Sequence, residues 1–209
     1  MLRTWRPSKS VPAVDSVNGV LRRRLGHLRF GRLVLGRGAA ESALVVRVPE
    51  AEGAIERCRA AGGAVDDTGP HVTLLYPFVP PHALNAALLS SLEMVVGRCE
   101  PFVFDLVRIA RFSDAVYLAP EPARPFLELT EAITRAWPRY PPYGGRFPEV
   151  IPHVTLVGGV DRGAKFAAED VLGDLLPIRC RAAAVELLSR EGGQWSTHAR
   201  IALAGRSQR

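Results

Sequence analysis
The chain is poor in the groups that build disulfide frameworks and metal centres. Its 209 residues hold three cysteines, Cys58, Cys99 and Cys180. The count is odd and no pair has Cys-x-x-Cys spacing, which argues against a disulfide scaffold or a cysteine-rich zinc site and for buried, reduced thiols. There is no Asp/Glu/His cluster with metal-ligand spacing. No apolar run reaches the ~18–20 residues of a membrane span, and the N-terminus lacks the apolar core of a signal peptide. A Gly-rich phosphate loop ending in Lys is missing, as is a Gly-x-Ser-x-Gly elbow. These absences point to a cytoplasmic protein without metal or other cofactor.

What is present is a globular composition, with 47% hydrophobic and 23% charged residues. The length suits one domain with a core of useful size. The net charge of +6 is unevenly spread. Residues 1–40 carry eight Arg and Lys9 against one acid, Asp15. The remainder is slightly acidic, so the body is not a surface built to coat nucleic acid. Pro7, Pro12, Gly19, Gly26, Gly31, Gly36 and Gly38 interrupt any periodicity in the first 40 residues, and His27 there carries no signal. That segment reads foremost as a poorly ordered extension. A basic arm for RNA or another polyanion and a targeting segment are the other readings. The domain proper is expected over 41–209.

Within it, Leu44, Val46 and Val48 alternate with Val45 and Arg47, as in a strand. Residues 50–61 read as a helix ended by Gly62-Gly63, and 71–78 as a strand. Residues 81–97 read as a helix with Leu84, Leu88, Leu92, Val95 and Val96 on one stripe. Phe102, Phe104 and Leu106 alternate on a strand whose hairpin partner is 115–119. Residues 123–137 read as a helix with Phe126, Leu129, Ile133 and Trp137 on one side. A strand at 153–157, a helix at 163–176 and strands near 178–188 and 195–203 complete the pattern.

The pentapeptide Pro70-His71-Val72-Thr73-Leu74 recurs 82 residues later as Pro152-His153-Val154-Thr155-Leu156. Chance would supply about 0.2 His-x-Thr in this composition, so two copies inside one repeated pentapeptide mark an internal duplication. The order helix, PHVTL strand, helix, strand, strand accompanies each copy. Strand period places His71 and Thr73 on one face, and likewise His153 and Thr155, with Val72, Leu74, Val154 and Leu156 in the core. Two lobes packed face to face would bring both His-Thr pairs to one cleft.

In-line displacement at phosphorus needs a base for the nucleophile and an acid for the leaving oxygen on opposite sides. Histidine, with its unperturbed pKa of about 6.5, serves either role. Threonine hydroxyls can donate to non-bridging phosphoryl oxygens. His71 and His153 are therefore the expected catalytic pair, and Thr73 and Thr155 the expected phosphate-binding pair. Which histidine is acid and which is base stays open.

With both motifs in view, the chain resembles the two-histidine phosphoesterase superfamily. Within it, PHVTLLYPFVPP and PPYGGRFPEVIPHVTL resemble bacterial proteins of the 2′-5′ RNA ligase family. The resemblance covers roughly residues 42–204. It implies a bilobal α+β fold, with two antiparallel sheets related by a pseudo-twofold and the four motif residues lining the cleft between them. It also implies metal-independent chemistry on 2′,3′-cyclic phosphates, 2′-5′ linkages or nucleotide-derived cyclic phosphates. Hydrolysis is favoured over ligation because ring opening is downhill in water.

The expected partners are RNA ends or small nucleotides, with no membrane, and the expected state is a monomer. A module that grips RNA ends or nucleotides with little turnover is the alternative. Tyr143 and Arg146, in the loop entering the second motif, are candidates to stack on a base and to pair with a phosphate. Tyr76 is expected to pack in the core, on the face opposite His71, Trp195 and Phe112 to pack, and His82 and His198 to be surface or structural residues.

Overall fold
The computed structural model describes residues 40–61, 68–158 and 170–205. The expected extension at 1–40 lies outside them, save Ala40, as does the first half of the expected helix at 163–176. Eight strands form one antiparallel sheet. They are β1 (Ala40–Arg47), β2 (His71–Leu75), β3 (Phe102–Arg111), β4 (Ala115–Glu121), β5 (Val154–Gly158), β6 (Ile178–Ala182), β7 (Ala184–Glu191) and β8 (Ser196–Ala202); the helices that lie wholly within the described residues are α1 (Glu52–Ala60), α2 (Ala86–Val96) and α3 (Arg124–Ala136). The spatial order is β6-β3-β4-β5-β2-β1-β7-β8.

The expectation of two separate sheets is corrected by this order. Four strands, β2-β1-β7-β8, and four others, β5-β4-β3-β6, are joined edge to edge through the two motif strands. The register between β2 and β5 is the single pair Val72–Val154. The other contacts between neighbours are longer, such as β1 on β7 from Ala40–Glu191 to Val45–Glu186. Two strand-helix-strand units, β1-α1-β2 and β4-α3-β5, each end in a motif strand. The duplication is thus visible in the connectivity.

One face of the sheet carries the main core. Val72, Leu74, Val154 and Leu156 are buried there with Ala54, Ile55 and Cys58 of α1, Leu92 and Val96 of α2, and Phe126, Leu129 and Ile133 of α3. Phe126 meets Phe102 and Phe104 edge-on, each at 4.9 Å. Aromatic pairs of this kind contribute about 0.5–1.5 kcal/mol beyond the area they bury.

The opposite face has its own small cluster. Ala43, Val45, Tyr76 and Leu188 are buried, with Tyr143 and Trp195 against them. This is why β1 is buried on both faces, and why the alternation of polar and apolar residues is faint at its centre.

Several expected elements are divided. The helix at 81–97 is a 3-10 turn, Pro81–Ala83, followed by α2. Leu84 is extended between them, and the Asn85 side chain accepts from Leu88 N–H at 3.0 Å. A capping asparagine restarts the helix there, which apolar spacing alone does not reveal. The strand at 178–188 is two strands, β6 at one sheet edge and β7 beside β1. The strand expected over 71–78 ends at Leu75, before Pro77, which has no N–H for a ladder. No described helix is long and apolar enough to cross a membrane.

Candidate active site
The two motifs fall where the period-two argument puts them. On β2 and β5 the valines and leucines face the core, so His71, Thr73, His153 and Thr155 share the other face. The antiparallel pair Val72–Val154 fixes their mutual arrangement. It carries His71 level with Thr155, and Thr73 level with His153. The two histidines are then diagonal neighbours, a relation that spaces residues by roughly 7–8 Å, with their Cβ atoms somewhat closer. Each half of the site is therefore assembled from both copies of the repeat.

The imidazoles are oriented alike. His71 Nδ1 is 2.7 Å from the Gly69 carbonyl oxygen and His153 Nδ1 is 2.6 Å from the Ile151 carbonyl oxygen. Each carbonyl lies two residues before its histidine. A carbonyl only accepts, so Nδ1 holds the hydrogen in both rings. Nε2 is then the nitrogen that accepts or delivers a proton.

Their surroundings differ. His153 lies edge-on to Phe112 at 5.0 Å and to Tyr117 at 5.3 Å, and these two rings stack on each other at 4.2 Å. Tyr117 is level with Thr155 on the neighbouring strand. Burial among these rings lowers the His153 pKa to about 4. The Ile151 carbonyl opposes that shift, and repulsion from His71 adds to it. His153 is neutral at physiological pH and suited to accept a proton.

His71 instead faces Arg47 across the β1–β2 ladder. Arg47 Nε donates to Glu186 Oε2 at 2.9 Å, and Arg47 Nη1 donates to the Thr68 carbonyl. One histidine thus has an aromatic wall and the other a polar, charged one.

Tyr143 and Arg146 are on the 3-10 turn Pro142–Gly145 and just after it. Tyr143 adopts left-handed backbone, φ 54°, and its N–H donates to the Tyr76 carbonyl at 2.6 Å. Its ring packs against the cluster containing Val45, which is level with Thr73. Burial pushes its phenol up to about 12, so it stays protonated. Arg146 is exposed. The turn thus brings Tyr143 against the cluster on the motif face and leaves Arg146 in solvent.

Tyr76 packs, as expected, but on the motif face, with its hydroxyl donating to Glu41 Oε1 at 2.9 Å. Trp195 packs edge-on to Tyr76 at 6.5 Å, with the Arg190 guanidinium 5.0 Å from its ring centre. Phe112 packs on the wall of His153. His82 and His198 are exposed.

Arg47, Glu186 and Tyr117 were not singled out from the sequence. The alternation in AVYLA marks Tyr117 as facing away from Val116 and Leu118, a usable signal. Arg47 and Glu186 give none, because only the pairing of distant strands brings them beside His71. Among the described residues no group of three or more His, Cys, Asp or Glu is placed to hold a metal ion.

Comparison with known proteins identifies the family and the fold. The family model described as 2′-5′ RNA ligase superfamily matches residues 47–194. A crystal structure of a Thermus thermophilus protein superposes with a TM-score of 0.57 at 18% identity, covering 80% of this chain and 100% of that one. Escherichia coli LigT in complex with NADP+ gives a TM-score of 0.53 at 20% identity, covering 79% of this chain and 98% of that chain. The same protein in complex with 3′-AMP gives 0.51 at 19% identity, with the same coverage. At these identities the likeness establishes the fold. No curated protein sequence matches the chain.

Proposed function
The chain belongs to the 2′-5′ RNA ligase superfamily, and we propose that it is a metal-independent phosphodiesterase that opens 2′,3′-cyclic phosphates or cleaves 2′-5′ phosphodiester bonds in RNA or nucleotides. The observation that carries this reading is the Val72–Val154 register, which sets two carbonyl-anchored imidazoles diagonally across one face.

His153 is the base. Its Nε2 takes a proton from water as the water oxygen attacks phosphorus. His71 enters protonated and gives its Nε2 proton to the departing ribose oxygen as the P–O bond breaks. The second proton then returns through solvent, and both rings regain their starting states. Thr73 and Thr155 donate hydrogen bonds to the non-bridging oxygens, where charge concentrates in the transition state. In bond formation a ribose hydroxyl takes the place of water: its proton passes to His153 as its oxygen bonds to phosphorus, and the ring P–O bond of the cyclic phosphate breaks as His71 protonates the departing ribose oxygen.

Tyr143 supports a base and Arg146 a distal phosphate of the substrate. The complexes of Escherichia coli LigT with NADP+ and 3′-AMP support a nucleotide-sized ligand for this fold. The test is turnover of 2′,3′-cyclic nucleotides and 2′-5′-linked dinucleotides by the wild type and by His71→Ala and His153→Ala. Full activity in either variant would refute the assignment. Tight nucleotide binding without turnover would favour a binding module.

A further inference from the structure
We propose that Arg47 is a positioning residue for His71: its guanidinium, anchored on Glu186, clamps the turn whose Gly69 carbonyl holds the His71 imidazole. The inference rests on the preceding reading that His71 transfers a proton.

The clamp is built from three short contacts. Arg47 lies directly across from His71 on the neighbouring strand. Its Nη1 donates to the Thr68 carbonyl. The next residue, Val48, donates its N–H to the Pro70 carbonyl at 3.0 Å. The end of β1 therefore grips the chain on both sides of Gly69. Between those two points the Gly69 carbonyl accepts from His71 Nδ1 at 2.7 Å. Gly69 is left-handed, φ +77°, and a Cβ there would lie 3.5 Å from Arg47 Nη1. The turn is shaped so that its carbonyl, rather than a side chain, meets the imidazole.

The guanidinium is itself fixed. Its Nε donates to Glu186 Oε2 at 2.9 Å, and the Thr197 hydroxyl donates to the same oxygen at 3.1 Å. The side chains of Arg47 and Glu186 are 30% and 15% exposed. A line of support thus runs from β8 through β7 and β1 to the turn before β2. The planar fork of arginine holds two acceptors from two different nitrogens in a fixed plane, which the single nitrogen of lysine does not. The carboxylate also offsets the guanidinium, so that His71 does not face an uncompensated positive charge.

Among the described residues nothing equivalent stands beside His153. There the β4–β5 register ends at Leu118–Val154, and the rings of Phe112 and Tyr117 lie edge-on to the histidine. The two imidazoles make the same bond to a carbonyl and are kept in place by different means.

The experiment uses the full chain, with turnover of a 2′,3′-cyclic nucleotide and 15N NMR of the histidine side chains at a pH where His71 is neutral. Arg47→Met is expected to lower kcat by about tenfold to a hundredfold with KM within about threefold of the wild type. His71, a single Nδ1–H tautomer in the wild type, is expected to become a mixture of tautomers. Circular dichroism checks the fold. If Arg47→Met does not fold, Arg47→Lys carries the same two readings with a smaller effect, since a single ammonium nitrogen does not hold Glu186 and Thr68 in a fixed plane. A folded variant with unchanged kcat and one His71 tautomer would overturn the clamp. So would a raised KM at unchanged kcat, which would make Arg47 a substrate contact. If the wild type turns over no nucleotide, the proposed reaction fails, and the tautomer of His71 still decides the clamp.

Discussion

Val72 of β2 lies directly across from Val154 of β5, and this pair sets the geometry of the whole site. Both valines are buried, so the residues that flank them on either strand must face away from the core. Two histidines and two threonines are flanking residues. The pairing of two strands 82 residues apart turns a repeated pentapeptide into one cluster.

The first consequence concerns proton transfer. Replacing His71 or His153 with Ala should lower kcat by about 10²–10⁴-fold with little change in melting temperature. The double variant should be no more than slightly worse than either single one, because acid and base act in one step. Steady-state kinetics on 2′,3′-cyclic nucleotides checks this.

The threonines should behave differently. Thr73→Val and Thr155→Val keep the β-branched shape and remove the hydroxyl. Each should lower kcat by about tenfold to a thousandfold while binding of the product nucleotide weakens less. Comparing kcat with the product inhibition constant separates the two effects.

The pH dependence follows from the burial of His153. Its folded pKa, about 4, is below its unfolded value. A base with that pKa is active above it, so the acid limb of kcat should fall as pH drops through about 4. Removing the wall with Phe112→Ala exposes the ring to water and should move that limb upward, toward the ordinary value of about 6.5.

Stability carries the same signature. Between about pH 4 and 6.5 the unfolded chain binds a proton on His153 that the folded chain does not, so stability rises with pH across that window and is complete above it. Its size is up to about 3 kcal/mol. Urea unfolding at about pH 4.5 and pH 7, in the wild type and in His153→Ala, should show a pH dependence that shrinks in the variant.

Much of this was legible in the sequence. The orientation of His71, Thr73, His153 and Thr155 needs only the two-residue period of a strand, which is a local property. The apolar stripe of Phe126, Leu129 and Ile133 is local too, and all three are buried. Strand pairing is not local. That β2 and β5 join two four-stranded halves into one sheet depends on the partner of Val72, which no period specifies. For the same reason Arg47, the polar end of an apolar strand, could not be connected with Glu186, 139 residues away. Tyr143 illustrates a different difficulty. Its left-handed backbone sits at a non-glycine residue, so the Gly144-Gly145 pair gave no sign that the turn begins one residue earlier.

The measurement that tests the central claim most directly is phosphorus NMR of 2′,3′-cyclic nucleotides incubated with the protein in EDTA, alongside His71→Ala and His153→Ala. The account predicts conversion of the cyclic phosphate to a single monophosphate by the wild type, unaffected by the chelator, and almost none by either variant. Ring opening that persists in both variants, or that stops when the chelator is added, would contradict it.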